Sequence, residues 1–278
     1  MTFYFYIKPE SERSVESARE ASACFASLGI DCVCDASNVS LFEGAGDISA
    51  AVKESFDTIV AVGGDGTMLG AAQLAIALDK PIFGINAGRV GFLCAFDASD
   101  IPTITLNDLN NLTHSRRALL EVCHSGRKAG IALNDVTVNK TDFSKTIEFE
   151  LMYGNNNLGS LRADGLIIST PTGSTGYSLS AGGPITDPSM RAMIVTPICS
   201  HSLFSRSHVF AGDSPVRVIP ARRFANTFYI SVDGGEYVEC SDGTEITVKL
   251  SKRTLKLLVS NKRNFYDVLF KEISGRRE

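Results

Sequence analysis

The sequence predicts an α/β chain in two parts, a parallel-sheet domain followed by a β-rich one. Three observations carry this. The first third alternates short apolar runs with helical patterns, the runs beyond His114 shorten and are parted by turn-formers, and two glycine-rich turns follow early strands, at 63–67 and 84–93. Strands fed through helices imply a parallel sheet with helices on its faces. Closely spaced runs rich in β-branched residues imply antiparallel layers.

Residues 2–7 read as the first strand. Residues 14–28 have helical periodicity and close at Gly29, and 31–34 form the next strand. Residues 48–56 read as a helix leading into the apolar strand 58–62, followed by a helix from 67 to about 78 and a strand at 81–85. Together they give a Rossmann-like α/β domain over 1–113. The runs 118–123, 131–139, 146–153, 165–169, 192–197, 216–219, 228–232 and 245–250 then build a β-rich sandwich or layered-sheet domain over 114–258. Its turns fall at Gly154-Asn155-Asn156-Asn157, Gly212-Asp213-Ser214-Pro215, Asp233-Gly234-Gly235 and Asp242-Gly243. Residues 261–273 read as a last helix, so 259–278 is taken to pack back on the first domain. A ligand cleft is expected where two such domains meet.

Bulk properties narrow the function classes. The chain has 278 residues and a formal charge of −4, with a pI near 5.7. No global basic field attracts nucleic acid or an anionic membrane. No apolar stretch reaches the ~18 residues of a membrane helix, and the run 3–7 lacks the basic flank and cleavage site of a signal peptide. A cytoplasmic protein without nucleic-acid or membrane partners is expected. The seven cysteines are scattered without a Cys-x-x-Cys pair, which reads as reduced core thiols. The four histidines show no metal spacing, and Arg116-Arg117 reads as a solvated charge pair.

The strongest local signal is Val60-Ala61-Val62-Gly63-Gly64-Asp65-Gly66-Thr67, an apolar strand running into a glycine turn and an Ala/Leu-rich helix. Glycines leave room for phosphate to approach backbone amides, and the helix start presents unpaired N–H groups. Asp65 stands at the carboxyl end of a parallel strand, where open α/β sheets place ligands. A carboxylate there repels bare phosphate. It either takes a hydroxyl proton, or acts through a divalent cation, or merely caps the helix. No Gly-x-x-x-x-Gly-Lys-Ser/Thr run and no Gly-x-Gly-x-x-Gly after a strand occurs. A second glycine-rich turn, Gly84-Ile85-Asn86-Ala87-Gly88-Arg89-Val90-Gly91-Phe92-Leu93, follows a strand and is positioned to face the first. The run 170–184 is small and hydroxyl-rich with one aromatic, Tyr177, which suits a polar ligand better than a core.

Taken together, these segments resemble the NAD kinase family. The likeness spans Gly63-Gly64-Asp65-Gly66-Thr67, Asn86 to Leu93, Asn134-Asp135 and Arg162 to Pro184. The first motif alone is shared with lipid kinases of the diacylglycerol and sphingosine type; the run 170–184 is far more specific. The resemblance implies transfer of the γ-phosphate of ATP to the 2′-hydroxyl of the adenosine ribose of NAD, with magnesium, in a homo-oligomer (dimer or tetramer). It makes Asp65 the base, with Gly63, Gly64, Gly66 and Thr67 handling ATP phosphate. Asp65 and Gly66 also belong to its NAD contacts, with Phe92 on the adenine, Asn134, Asp135, Lys145, Arg162, Asp164, Thr175, Gly176, Tyr177, Ser178, Leu179, Ser180 and Cys199. The chain departs from the family at Gly176, where alanine is commoner, at Gly70, where many members carry a basic residue, and at Gly235, which offers only backbone.

Overall fold

A computed structural model describes residues 1–41, 46–47, 56–142, 146–201, 205–221, 227–241 and 243–273. The chain divides into two compact units, Met1–Arg116 with Leu255–Glu278, and Arg117–Thr254.

The first unit opens with strands β1 (Thr2–Ile7), β2 (Asp31–Cys34), β3 (Gly46–Asp47), β4 (Thr58–Gly63), β5 (Ile82–Asn86) and β6 (Phe96–Asp97). Helices α1 (Glu12–Ser27), α2 (Asp65–Leu78) and α3 (Leu106–Asn110) connect them. The strands pair in parallel in the order β3-β2-β1-β4-β5-β6. All six residues of β4 are buried, as an apolar strand covered on both faces must be. Alternation within β1 splits its aromatics. Phe3 and Phe5 lie with Phe25 of α1, while Tyr4 stacks on Phe56 at 5.0 Å. Helix α1 starts where the Ser11 hydroxyl accepts the Ser14 amide, and ends at Gly29, φ +74°, the stop expected from the sequence. In α2, Met68, Ala71, Ala72 and Ala75 are buried. Gly70 lets the helix close on β1, because a Cβ there would stand 2.6 Å from the Tyr6 hydroxyl.

The second unit continues with β7 (Thr113–His124), β8 (Arg127–Ala132), β9 (Asp135–Lys140), β10 (Ile147–Tyr153), β11 (Asn156–Ala163), β12 (Gly165–Ser169), the short helix α4 (Tyr177–Ser180), β13 (Ala192–Ile198), β14 (His208–Ala211), β15 (Val216–Pro220), β16 (Thr227–Val232), β17 (Val238–Ser241) and β18 (Ile246–Val259). One antiparallel sheet runs β14-β13-β12-β9-β16-β17, and a second set runs β11-β10-β15-β18 with β7 and β8 alongside. Val136, Val138, Leu166, Ile168, Phe228 and Ile230 of the sheet share one core with Leu120, Val122, Phe149, Leu151, Val218 and Ile246 of the other set. That is a layered-sheet domain. Beyond it, Leu257 of β18 pairs in parallel with Ile82, and α5 (Phe265–Ile273) follows.

Several sequence expectations change. The run 131–139 is two strands, broken at Leu133 and Asn134, whose amides turn to the Asp233 side chain. Strand β18 runs nine residues past the predicted end at 250, because exposed Lys252 and Arg253 interrupt the apolar pattern without ending the strand. Strands β11, β14 and β17 were unsignalled. All three are largely exposed, so none has a buried face to impose an alternating pattern, and β14, with four residues, is too short for its apolar Val209 and Phe210 to signal a strand. The last helix starts at Phe265 rather than 261, with the Asn264 side chain accepting the Asp267 amide. Arg117 is buried at 5% exposure, contrary to the solvated pair expected. The predicted helix 48–56 lies outside the described residues except Phe56, which is buried ahead of β4. Among the described residues, no helix is long and apolar enough to cross a membrane. All seven cysteines are free; Cys32, Cys34, Cys94 and Cys240 are buried, and Cys199 is exposed.

Candidate active site

The predicted functional residues fall into two groups, one in each unit. In the first, β4 ends at Gly63 with φ +153°, where a Cβ would stand 2.4 Å from the Thr67 hydroxyl. Only glycine permits the turn to close so tightly on the helix start. Gly64 is the cap residue of α2 and Asp65 its first residue. Asp65 is not a helix cap. Its half-buried carboxylate accepts the amide of Leu93 at 3.3 Å, in the second glycine turn. Burial pushes this carboxyl above its ordinary range, while the amides of Leu93, Phe92 and Gly91 and the charge of Arg263 pull it back down. The result is a carboxylate fixed in direction and made more basic.

The second turn faces the first because β4 and β5 are neighbours and Gly63 sits opposite Asn86. Asn86 shapes it, accepting the Gly88 amide at 3.0 Å and donating to Asp97 at 2.9 Å. Gly88 touches Gly64 backbone to backbone, since a Cβ on Gly88 would lie 2.9 Å from the Gly64 Cα. Gly91 has φ +70° and a Cβ there would strike the Asn86 side chain. Arg263 clamps the outside of the turn. It pairs with Asp97 and donates to the carbonyls of Val90 at 2.6 Å and Gly91 at 3.0 Å. Phe92 is half-buried, its ring 5.8 Å from that of Phe265.

In the second unit the organising group is Asp233, which the sequence marked only as a turn. Its residue adopts φ +51°, and its carboxylate accepts the amides of Leu133 at 2.8 Å, Asn134 at 2.7 Å and Asp135 at 3.2 Å. Three N–H donors fix the direction of this carboxylate. The opposite edge of this stretch is held by Thr170, whose hydroxyl donates to the Leu133 carbonyl at 2.6 Å and whose amide donates to the Asn134 carbonyl. Gly173 lies against the Asn134 backbone, where a Cβ would stand 2.2 Å from the carbonyl oxygen. Asn134 and Asp135 thus occupy a backbone bend fixed from two sides. The Asp135 carboxyl is pushed up to about 7, first by burial and then by the neighbouring charge of Asp233.

The hydroxyl-rich run is less open than the sequence implied. Ser174 donates to the Pro171 carbonyl and accepts the Thr186 amide, and the Ser178 hydroxyl is buried against that of Thr196 at 3.0 Å. What faces outward is Tyr177 (46% exposed) and Leu179, with Ser180 exposed beside them; Thr175 and Gly176 are half-buried. Burial raises the Tyr177 phenol, as do the charges of Cys199, Asp135 and Tyr237, so those groups share its surroundings. Arg162 is exposed, and Asp164 is paired with Lys140 at 2.7 Å. Lys145 lies outside the described residues. Two buried polar atoms here, Asn134 Oδ1 and Thr172 Oγ1, have no protein partner, and such atoms need one. Among the described residues, no cluster of three or more His, Cys, Asp or Glu is placed to hold a metal.

Sequence reasoning missed Asp233 and Arg263. Asp233-Gly234 carried a detectable signal, an acidic residue where the backbone turns left-handed; Arg263 carried none.

A parallel sheet with glycine-amide turns and a fixed carboxylate at its carboxyl edge, joined to a layered-sheet unit, describes a nucleotide-handling phosphotransferase of the kinase class. The comparisons make this specific. Residues 11–113 match the ATP-NAD kinase N-terminal domain and residues 133–260 the ATP-NAD kinase C-terminal domain. A NAD kinase of Natranaerobius thermophilus is 38% identical over 241 residues, covering 85% of this chain and 84% of its own. One of Chloroherpeton thalassium is 34% identical over 286 aligned residues, covering 100% of this chain and 99% of its own. The chain belongs to the NAD kinase family. Its fold also matches a NAD kinase from Archaeoglobus fulgidus solved with ATP (27% identity, TM-score 0.75, 99% of each chain covered). A yeast NADH kinase solved with NADH, at 22% identity and TM-score 0.83 over 100% of this chain and 88% of that one, shares the fold.

Proposed function

We propose that the chain transfers the γ-phosphate of ATP to the 2′-hydroxyl of the adenosine ribose of NAD, forming NADP and ADP. The observation that carries this reading is the Asp65 carboxylate, made more basic by burial and aimed by the amides of the facing turn. The hydroxyl oxygen attacks the γ-phosphorus in line, the bond to the bridging oxygen of ADP breaks, and the hydroxyl proton passes to Asp65. Phosphoryl transfer draws most of its rate from positioning and charge neutralisation. The amides around Gly63, Gly64, Gly66 and Thr67 hold phosphate oxygens while Asp65 orients the hydroxyl and takes its proton late. Asp65 would be the residue of this turn with a carboxylate oxygen to offer a magnesium ion brought in with the nucleotide. Such an ion would neutralise phosphate charge.

On the acceptor side, the orphaned Asn134 Oδ1 is a ready acceptor for a donor group on NAD. In the same unit, Asp135 and Cys199 lie in the surroundings of Tyr177. Phe92, Arg162, Asp164, the stretch 175–180 and Lys145 complete the proposed contacts. The enzyme is read as cytoplasmic and as a dimer or tetramer of identical chains.

The test is direct. The purified chain is incubated with NAD, ATP and magnesium, and NADP is read with an NADP-specific dehydrogenase. Formation of NADP and ADP in equal amounts is expected. If no NADP forms, while a diacylglycerol or sphingosine base is phosphorylated, the reading gives way to a lipid kinase.

A further inference from the structure

Arg117 is buried in β7 of the second unit, and its Nε has no hydrogen-bond partner. An ionised side chain taken out of water needs an opposite charge near it. Burial pulls this guanidinium down to about 10, so it stays charged at neutral pH, and the negative charge that opposes the loss is Asp187. Inside a protein such an attraction acts over several ångströms without a direct hydrogen bond.

Asp187 lies in the loop between α4 and β13. Its carboxylate accepts the Ser189 amide at 2.7 Å and the hydroxyl of the same residue, and its carbonyl accepts the Met190 amide. One residue earlier, the Thr186 amide donates to the Ser174 hydroxyl at 3.1 Å. That hydroxyl is buried and donates in turn to the Pro171 carbonyl at 2.7 Å. A line of contacts therefore runs from Arg117 through Asp187 and Thr186 to Ser174, and stops one residue short of the stretch 175–180. Little else holds the loop. Of residues 184–190 only Thr186 and Pro188 are buried, so apolar burial contributes little to fixing it. We propose that Arg117 is a positioning residue for the dinucleotide acceptor. Its buried charge holds Asp187, and the loop so held braces Ser174 beneath the stretch that faces the acceptor. The acceptor half rests on the kinase reading above; the link from Arg117 to the loop does not.

Two substitutions in the full-length chain separate charge from packing. Arg117→Met keeps the length of the side chain and removes its charge. Asp187→Asn removes the opposing charge yet keeps an acceptor for Ser189. Amide hydrogen exchange reads the link directly. In either variant the peptide 184–191 is expected to exchange at least about tenfold faster, while β13 and β16 keep parental rates. The double variant is expected to match the single ones, because each breaks the same pair. Steady-state kinetics read the consequence: KM for NAD rises about fivefold or more at unchanged kcat and unchanged KM for ATP, the pattern of lost uniform binding. Arg117→Lys is expected to restore most of both. Exchange that rises equally across β13 and β16 would make Arg117 a plain structural residue and overturn the inference. An unchanged loop, additive effects in the double variant, or an unmoved KM for NAD in a loosened variant would overturn it too. If Arg117→Met does not fold, Asp187→Asn, at a half-buried position, carries the same test. A parent that makes no NADP refutes the kinase reading and the acceptor half with it, and the exchange of 184–191 then decides the link by itself.

Discussion

The Asp233 carboxylate accepts the backbone amide of Asn134 at 2.7 Å, across 99 residues of chain. Through that bond and its two companions, the residue at a left-handed turn sets the backbone on which Asn134 and Asp135 are displayed. It also places a negative charge beside the Asp135 carboxyl.

Asp135 is expected to make folding stability fall as pH rises through neutrality. Its carboxyl is pushed up to about 7 in the folded chain and lies near 4 when unfolded. Between these values the folded state binds the extra proton, so the stabilisation is complete below about pH 4 and is lost as pH climbs through about 7. Relative to Asp135→Asn, the parent should lose roughly 1–3 kcal/mol between about pH 4 and 8. Urea unfolding at the two ends of that window measures it. A constant difference between the two proteins would refute the assignment.

Replacing Asp65 with Asn should leave NAD binding in place and lower turnover by at least about two orders of magnitude, the usual weight of a general base. Calorimetry with NAD and an NADP-coupled assay read the two effects separately. Near-parental turnover would remove Asp65 from the proton transfer.

Arg263→Ala should act on both the turn and the base. It removes the ion pair to Asp97, which keeps its bond from Asn86, and frees the Val90 and Gly91 carbonyls, which costs about 1–2 kcal/mol. It also removes a positive charge that holds the Asp65 carboxyl down. The acidic limb of the rate profile should therefore move to higher pH. A melting curve and a pH–kcat series test the two parts, and an unmoved limb would show that Arg263 does not reach Asp65.

Gly173→Ala should destabilise the second unit by about 2–3 kcal/mol. The added methyl meets the Asn134 carbonyl, which is backbone and cannot swing aside. Differential scanning fluorimetry reads it, and a parental melting temperature would mean the bend at 133–135 yields more easily than its hydrogen bonds imply.

What was legible in the sequence was local. Strand β4 running through Gly63 and Gly64 into α2 announces itself because apolar run, glycine pair and helix are contiguous. The facing of the two glycine turns followed from their positions after successive strands, which the pairing of Gly63 with Asn86 bears out. What stayed hidden was long-range. Arg263 reaches the Gly91 carbonyl from 172 residues away, and nothing around either residue hints at the bond. The run 131–139 reads as one strand although its adjacent Asn134-Asp135 has the composition of a turn, and what fixes the break there is long-range, the Asp233 carboxylate accepting the amides of Leu133 and Asn134. Strand β11 is exposed along nearly its whole length, so it has no buried face to write a period-two pattern.

The inward turn of the Ser178 hydroxyl onto Thr196 changes how selectivity along this stretch is altered. With that oxygen committed to the interior, a visiting molecule meets peptide groups and the outward neighbours Tyr177, Leu179 and Ser180. Redesign aimed at Ser178 would therefore unsettle the scaffold before it touched discrimination, whereas its three neighbours can be varied with the framework left standing.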